Sequence, residues 1–126
     1  MIQSVSLFIF IIGLILFCFF LIKELQEIIF LRKILRKVID KNRIETKDDV
    51  VQLKNYLNNI KYKPELRTVK RPLLRHTASH ILKHNYGFCG ENARVSIKIF
   101  LLSGIKAVRI YLYGSKWGHV VLEHKY

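Results

Sequence analysis

Between Met1 and Ile22 only Gln3, Ser4, Ser6 and Gly13 interrupt an otherwise apolar run, and no charge falls within it. As a helix this stretch rises about 33 Å against a hydrocarbon core of about 30 Å, so the pattern predicts a membrane span over 1–22. From Lys23 the pattern changes. Leu25, Ile28, Ile29, Leu31, Leu35 and Ile39 interleave with Arg32, Lys33, Arg36 and Lys37. This predicts a helix to about Lys41 that leaves the bilayer with its basic side toward lipid phosphates. A second helix is signalled by Thr46 and, three residues on, Asp49, a start resembling a capping box. Val50, Leu53, Leu57 and Ile60 follow at helical spacing, and Pro64 stops it.

Pro64, Pro72 and six basic residues between Lys61 and Arg75 predict a loop. A third helix is expected over 73–85. Leu74, Ala78, Ile81 and Leu82 lie on one side, His76, His80 and His84 on the other, and Gly87 offers a left-handed exit. In the fourth, over 90–103, Ala93, Ile97, Phe100 and Leu101 form one stripe, which Val95, Ile99 and Leu102 widen. Two β-rich runs, 105–113 and 119–126, flank a five-residue connection with a glycine at each end, a hairpin signal. The expected class is α+β, helices first and strands last. Three segments result: an anchor over 1–22, a basic amphipathic helical stalk and loop over 23–71, and a core over 72–126.

Charge sharpens this division. All 22 Lys+Arg and 9 Asp+Glu follow Ile22, so the net +13 belongs to 104 residues, room for one small domain. Lys23, Arg32, Lys33, Arg36, Lys37, Lys41 and Arg43 follow the span, and nothing basic but the amino terminus precedes it. A single-pass protein with a cytoplasmic C-terminal domain is the expectation. The basic n-region and small-residue cleavage site of a signal peptide are missing. Basic residues are scattered and no nucleic-acid signature accompanies them, so anionic headgroups, not nucleic acid, are the expected polyanion. Cys18 and Cys89 lie too far apart in sequence and context for a disulfide framework.

Cys89 stands at the start of the fourth helix, where unpaired N–H groups and the positive end of the helix dipole favour thiolate. Gly87 and Gly90 leave room beside the sulfur. His119 opens the last strand and comes over that helix if the hairpin packs on it. A thiol and an imidazole are the two parts that acyl transfer needs. For a third, orienting group only Glu91 and Glu123 are nearby, and Glu123 is about 13 Å from His119 along a strand.

Three stretches carry a family resemblance: Gly87-Phe88-Cys89-Gly90-Glu91-Asn92-Ala93-Arg94, then Gly104-Ile105-Lys106-Ala107-Val108-Arg109, then Trp117-Gly118-His119-Val120-Val121-Leu122-Glu123. Together they resemble the transglutaminase-like core of the papain-type cysteine-nucleophile superfamily, over about 72–126. The resemblance implies Cys89 as nucleophile, His119 as base, a helix packed on an antiparallel sheet, and thioester chemistry on protein or peptide amides. That family's third residue is an aspartate on the strand after the histidine. This chain ends at Tyr126, ahead of it, so the core is expected to be C-terminally truncated. No cofactor is implied. His76, His80 and His84 have a spacing that zinc can use, but they occupy one helix face, and a solvated face is the expectation. The alternative function is a non-catalytic membrane adaptor whose basic surface binds anionic lipid.

Overall fold

The computed structural model describes residues 2–62, 77–113 and 118–124, except for the side chains at 2, 3, 62, 118–120 and 122. Helix α1 runs unbroken over Ile2–Ile39, 38 residues and about 57 Å. The span and the amphipathic stretch are thus one element, as expected where no proline and only Gly13 intervene. It ends where Asp40 adopts a left-handed conformation, φ 56°, its N–H donating to the Arg36 carbonyl at 2.9 Å.

The two halves of α1 have different surroundings. From Val5 to Ile22 the large apolar side chains are all exposed, and the helix is long and apolar enough to cross a membrane. Beyond that, Leu31, Leu35 and Ile39 are buried at four-residue intervals, whereas Leu25 and Ile29, expected on the same apolar side, remain exposed. The buried stripe is the one that α2 (Lys47–Asn58) and α4 (Cys89–Leu102) cover.

Helix α2 begins with the expected capping box. Thr46 Oγ1 accepts from Asp49 N at 3.2 Å, and Asp49 Oδ2 accepts from Thr46 N at 2.9 Å. Asp49 also accepts from Glu45 N at 2.9 Å and from Lys41 Nζ at 3.1 Å. The Glu45 amide first, then Thr46 and Lys41, hold its carboxyl at about 2, although burial pulls the other way. Since this lies below the ordinary 3.8, the contribution to stability is complete above that value and is lost as pH falls from there through about 2. Carbon-detected NMR of the Asp49 carboxyl should show that midpoint, and Asp49→Asn should flatten the pH dependence of unfolding in this window.

Strand β1 (Lys61–Tyr62) pairs in parallel with β2 (Tyr86–Gly87), a contact that the pattern does not predict. Between them α3 covers Ala78–His84, capped by Thr77, whose Oγ1 accepts from His80 N at 3.2 Å. The expected helix over 73–85 is therefore shorter, because Thr77 is extended and serves as its cap; Pro72, His76 and Leu74 lie outside the described residues. Its exit is made by Asn85 at φ 54°, not by Gly87.

Strands β3 (Ala107–Tyr113) and β4 (Gly118–His124) pair antiparallel, from Ala107 opposite His124 to Tyr113 opposite Gly118. Helix α4 packs on this pair on one side and on α1 and α3 on the other. Val95, Ile99 and Phe100 consequently form its centre, while Leu101, expected in the main stripe, is 54% exposed. The architecture is α+β and mostly helical. One core joins Leu31, Leu35, Leu53 and Leu57 to Ile81, Val95, Ile99 and Phe100, so packing draws on 23–71 and on 72–126 alike.

Candidate functional site

Strand β2 delivers the chain to Phe88, an extended N-cap residue at φ −102° and ψ 173°. Cys89 is the first residue of α4 and is 9% exposed. The Phe88 carbonyl accepts from Glu91 N and Asn92 N, both at 3.0 Å, and Glu91 Oε2 accepts from Phe88 N at 3.3 Å. An acid in the first turn also complements the helix dipole.

The two glycines beside Cys89 act through space, not backbone freedom. A Cβ at Gly87 would lie 2.5 Å from Asn92 Oδ1, so the Asn92 amide packs directly over the Gly87 backbone. That oxygen is buried and, among the described residues, accepts no hydrogen bond. At Gly90 a Cβ would meet the Phe88 ring at 3.3 Å. The space left by both glycines is thus filled by side chains of α4 and its cap.

His119 is the second residue of β4, in register with Leu112; its side chain lies outside the described residues. Helix α4 meets the face of the sheet that holds His124, whose ring stacks on Phe100 at 5.1 Å between centroids. Glu123 is exposed and Glu91 is engaged at the helix cap, so neither is shown orienting an imidazole. His124 itself is held below the usual histidine range, by burial first and then by the charge of Lys54.

A junction that the sequence pattern does not reveal lies on α1. Glu27, 9% exposed, accepts from Ala78 N at 2.8 Å through Oε1 and pairs with Lys98 Nζ at 3.3 Å through Oε2. Lys98 also reaches Glu24 at 2.7 Å. One carboxylate thereby joins α1, α3 and α4. Its only sequence signal is an acid on an amphipathic helix, with partners 51 residues away and further. His80 and His84 stack at 4.1 Å. Among the described residues no group of three His, Cys, Asp or Glu side chains could hold a metal ion. Comparison of the chain with protein-family models, curated proteins and solved structures finds no match to any of them.

Proposed function

We propose that the chain is a membrane-anchored thiol enzyme of transglutaminase-like type, acting on amide bonds through Cys89 with His119 as base. The observation that carries this reading is the position of Cys89, first in a 14-residue helix that packs on the strand pair containing residue 119. Such a helix end favours thiolate, and its N–H groups suit an oxyanion. Distances along the chain support it as well. From the Phe100–His124 stack, Cys89 lies eleven residues back along α4, about 17 Å, and His119 five residues back along β4, also about 17 Å. Elements running side by side would bring both to one end of the layer.

In this mechanism the Cys89 sulfur attacks the amide carbonyl while His119 takes the thiol proton and then gives it to the leaving amine. Water or a second amine resolves the thioester. The test needs no substrate. With the full chain in nanodiscs and Cys18 replaced by Ser, iodoacetamide should alkylate Cys89 at pH 6 about tenfold faster than an unstructured thiol. His119→Ala should move that pH profile toward an ordinary thiol. Alkylation no faster than the unstructured control removes the nucleophile role; an unmoved profile removes the base role.

The anchor reading rests on the uncharged, unburied first half of α1, and the charges after it favour a cytoplasmic domain, which protease protection in vesicles of known sidedness reads directly. For an upright α1, Arg32 stands about 15 Å and Lys37 about 22 Å beyond Ile22. A headgroup layer is roughly 5–8 Å deep, so contact with anionic lipid falls chiefly to Lys23. The second reading, a non-catalytic membrane adaptor, is favoured by the two nearby acids: among the described residues Glu123 is exposed and Glu91 is engaged at the helix cap, so neither serves as an orienting carboxylate.

A further inference from the structure

The turn of α1 where charge first enters the chain borders a cleft of about 570 Å³, within the roughly 300–1,000 Å³ common for ligand sites. Its walls change character along the helix. Phe19 and Phe20 belong to the uncharged stretch and are 53% and 61% exposed; Lys23 and Glu24 follow one turn later, and Thr77 and Ser79 close the side from the start of α3. We propose that this cleft holds one bilayer phospholipid, with an acyl chain along Phe19 and Phe20 and its phosphate at Lys23. The proposal rests on the reading of α1 as a membrane span.

Placement, charge and hydrogen bonding agree on that occupant. Lys23 follows 22 uncharged residues, so it marks the level at which hydrocarbon gives way to headgroups, and the cleft straddles that level. The acids of the cleft are engaged elsewhere. Glu27 is committed to Ala78 N and Lys98, and Glu24 pairs with Lys98 at 2.7 Å. Lys23 instead lies over the Phe19 ring, 5.6 Å from Nζ to the centroid, and among the described residues it pairs with no carboxylate. It is the cation left for a phosphate. On the far wall, the Thr77 and Ser79 hydroxyls hydrogen-bond each other at 3.0 Å while Thr77 Oγ1 also accepts from His80 N, which leaves one O–H of the pair to donate to a phosphate or ester oxygen of a glycerolipid. A bare transmembrane helix would have only the ordinary lipid shell at Phe19 and Phe20. Here the domain overhangs that shell, and Thr77 and Ser79 make one side of it a site.

The test places the full chain in phosphatidylcholine nanodiscs with a trace of photoactivatable lipid carrying its diazirine near the glycerol. Phosphatidylcholine and phosphatidylglycerol probes should crosslink to Thr77 and Ser79 as well as to 19–23, and a diacylglycerol probe, which lacks phosphate, should not reach α3. Lys23→Gln should lower the α3 crosslinks about fivefold for both phosphate-bearing probes. Ser79→Trp, which fills the cleft, should abolish them with the circular dichroism unchanged. Equal labelling by diacylglycerol, or α3 crosslinks indifferent to Lys23→Gln, would reduce the cleft to ordinary boundary lipid and overturn the proposal. Extraction of the chain from vesicles by alkaline carbonate overturns the span reading and the proposal together. A chain that resists extraction yet leaves Thr77 and Ser79 unlabelled loses only the lipid site.

Discussion

Phe100→Ala is expected to cost about 3–5 kcal/mol, a large part of the stability of an ordinary small domain. The ring is fully buried in the core that α1, α2, α3 and α4 share, and on its other side it stacks on His124 of β4. It therefore ties the shared helical core to β4. The backbone around it is equally committed: the Phe100 carbonyl accepts from Ile105 N at 2.9 Å and from Ser103 Oγ at 2.7 Å, so little local shift is available to close the cavity. Phe100→Leu keeps more of the volume but not the stack on His124, and should cost less than Phe100→Ala. A pH signature accompanies the loss. Burial lowers the His124 pKa below the ordinary 6.5, so its contribution is complete above that value and is lost as pH falls through the lower folded one. Opening the site by Phe100→Ala should weaken this acid sensitivity. Denaturant unfolding of the full chain in micelles, at pH 7.5 and 5.5, checks both effects; a Phe100→Ala cost under 1 kcal/mol would show that the sheet is held elsewhere.

Local signals in the sequence were faithful where the physics is local. Thr46 and Asp49 announced a capping box that the structure contains atom for atom, and the apolar run before Lys23 announced the exposed half of α1. The antiparallel pair followed from hairpin chemistry, and the helix expected from Gly90 begins one residue earlier, at Cys89, because Phe88 is the extended cap residue. What failed depends on partners distant in the chain. The stripe of α4 is centred on Val95 and Ile99, not Leu101, because the helix is covered from two sides, which periodicity alone cannot weigh. Gly87 suits a helix exit because glycine tolerates positive φ. Asn85 takes that conformation instead, and Gly87 is needed for the approach of Asn92. The two-residue pairing of β1 with β2 is too short to leave a pattern. Of the candidate site, the placement of Cys89 was legible, but its relation to His119 depends on how a strand lies over a helix, and residue spacing carries no such information.

Glu27→Ala is expected to cost about 2–3 kcal/mol, and Glu27→Gln about 1, with the order more telling than either value. The alanine leaves the buried Ala78 N–H without its acceptor and removes one of the two carboxylates that face Lys98. Glutamine keeps an oxygen for Ala78 N and loses only the charge. That loss is moderated because Lys98 is 29% exposed and retains Glu24 at 2.7 Å, so solvent and a second acid share the work. Lys98→Met should accordingly cost less than Glu27→Ala, and in a double-mutant cycle Glu27→Gln and Lys98→Met should couple by under about 1 kcal/mol. Equal costs for Glu27→Ala and Glu27→Gln in denaturant unfolding would mean that the ion pair, not the hydrogen bond to α3, holds the junction. The distinction bears on both proposed sites. Glu27 lines the cleft beside Lys23 and fixes the start of α3. Through Lys98 it also ties α1 to α4, the helix that begins with Cys89. A hydrogen-bonded cap holds α3 in one orientation where an ion pair would let it slide. If the cap dominates, Glu27→Gln should preserve the lipid crosslinks at Thr77 and Ser79 and the alkylation profile of Cys89, whereas Glu27→Ala should degrade both.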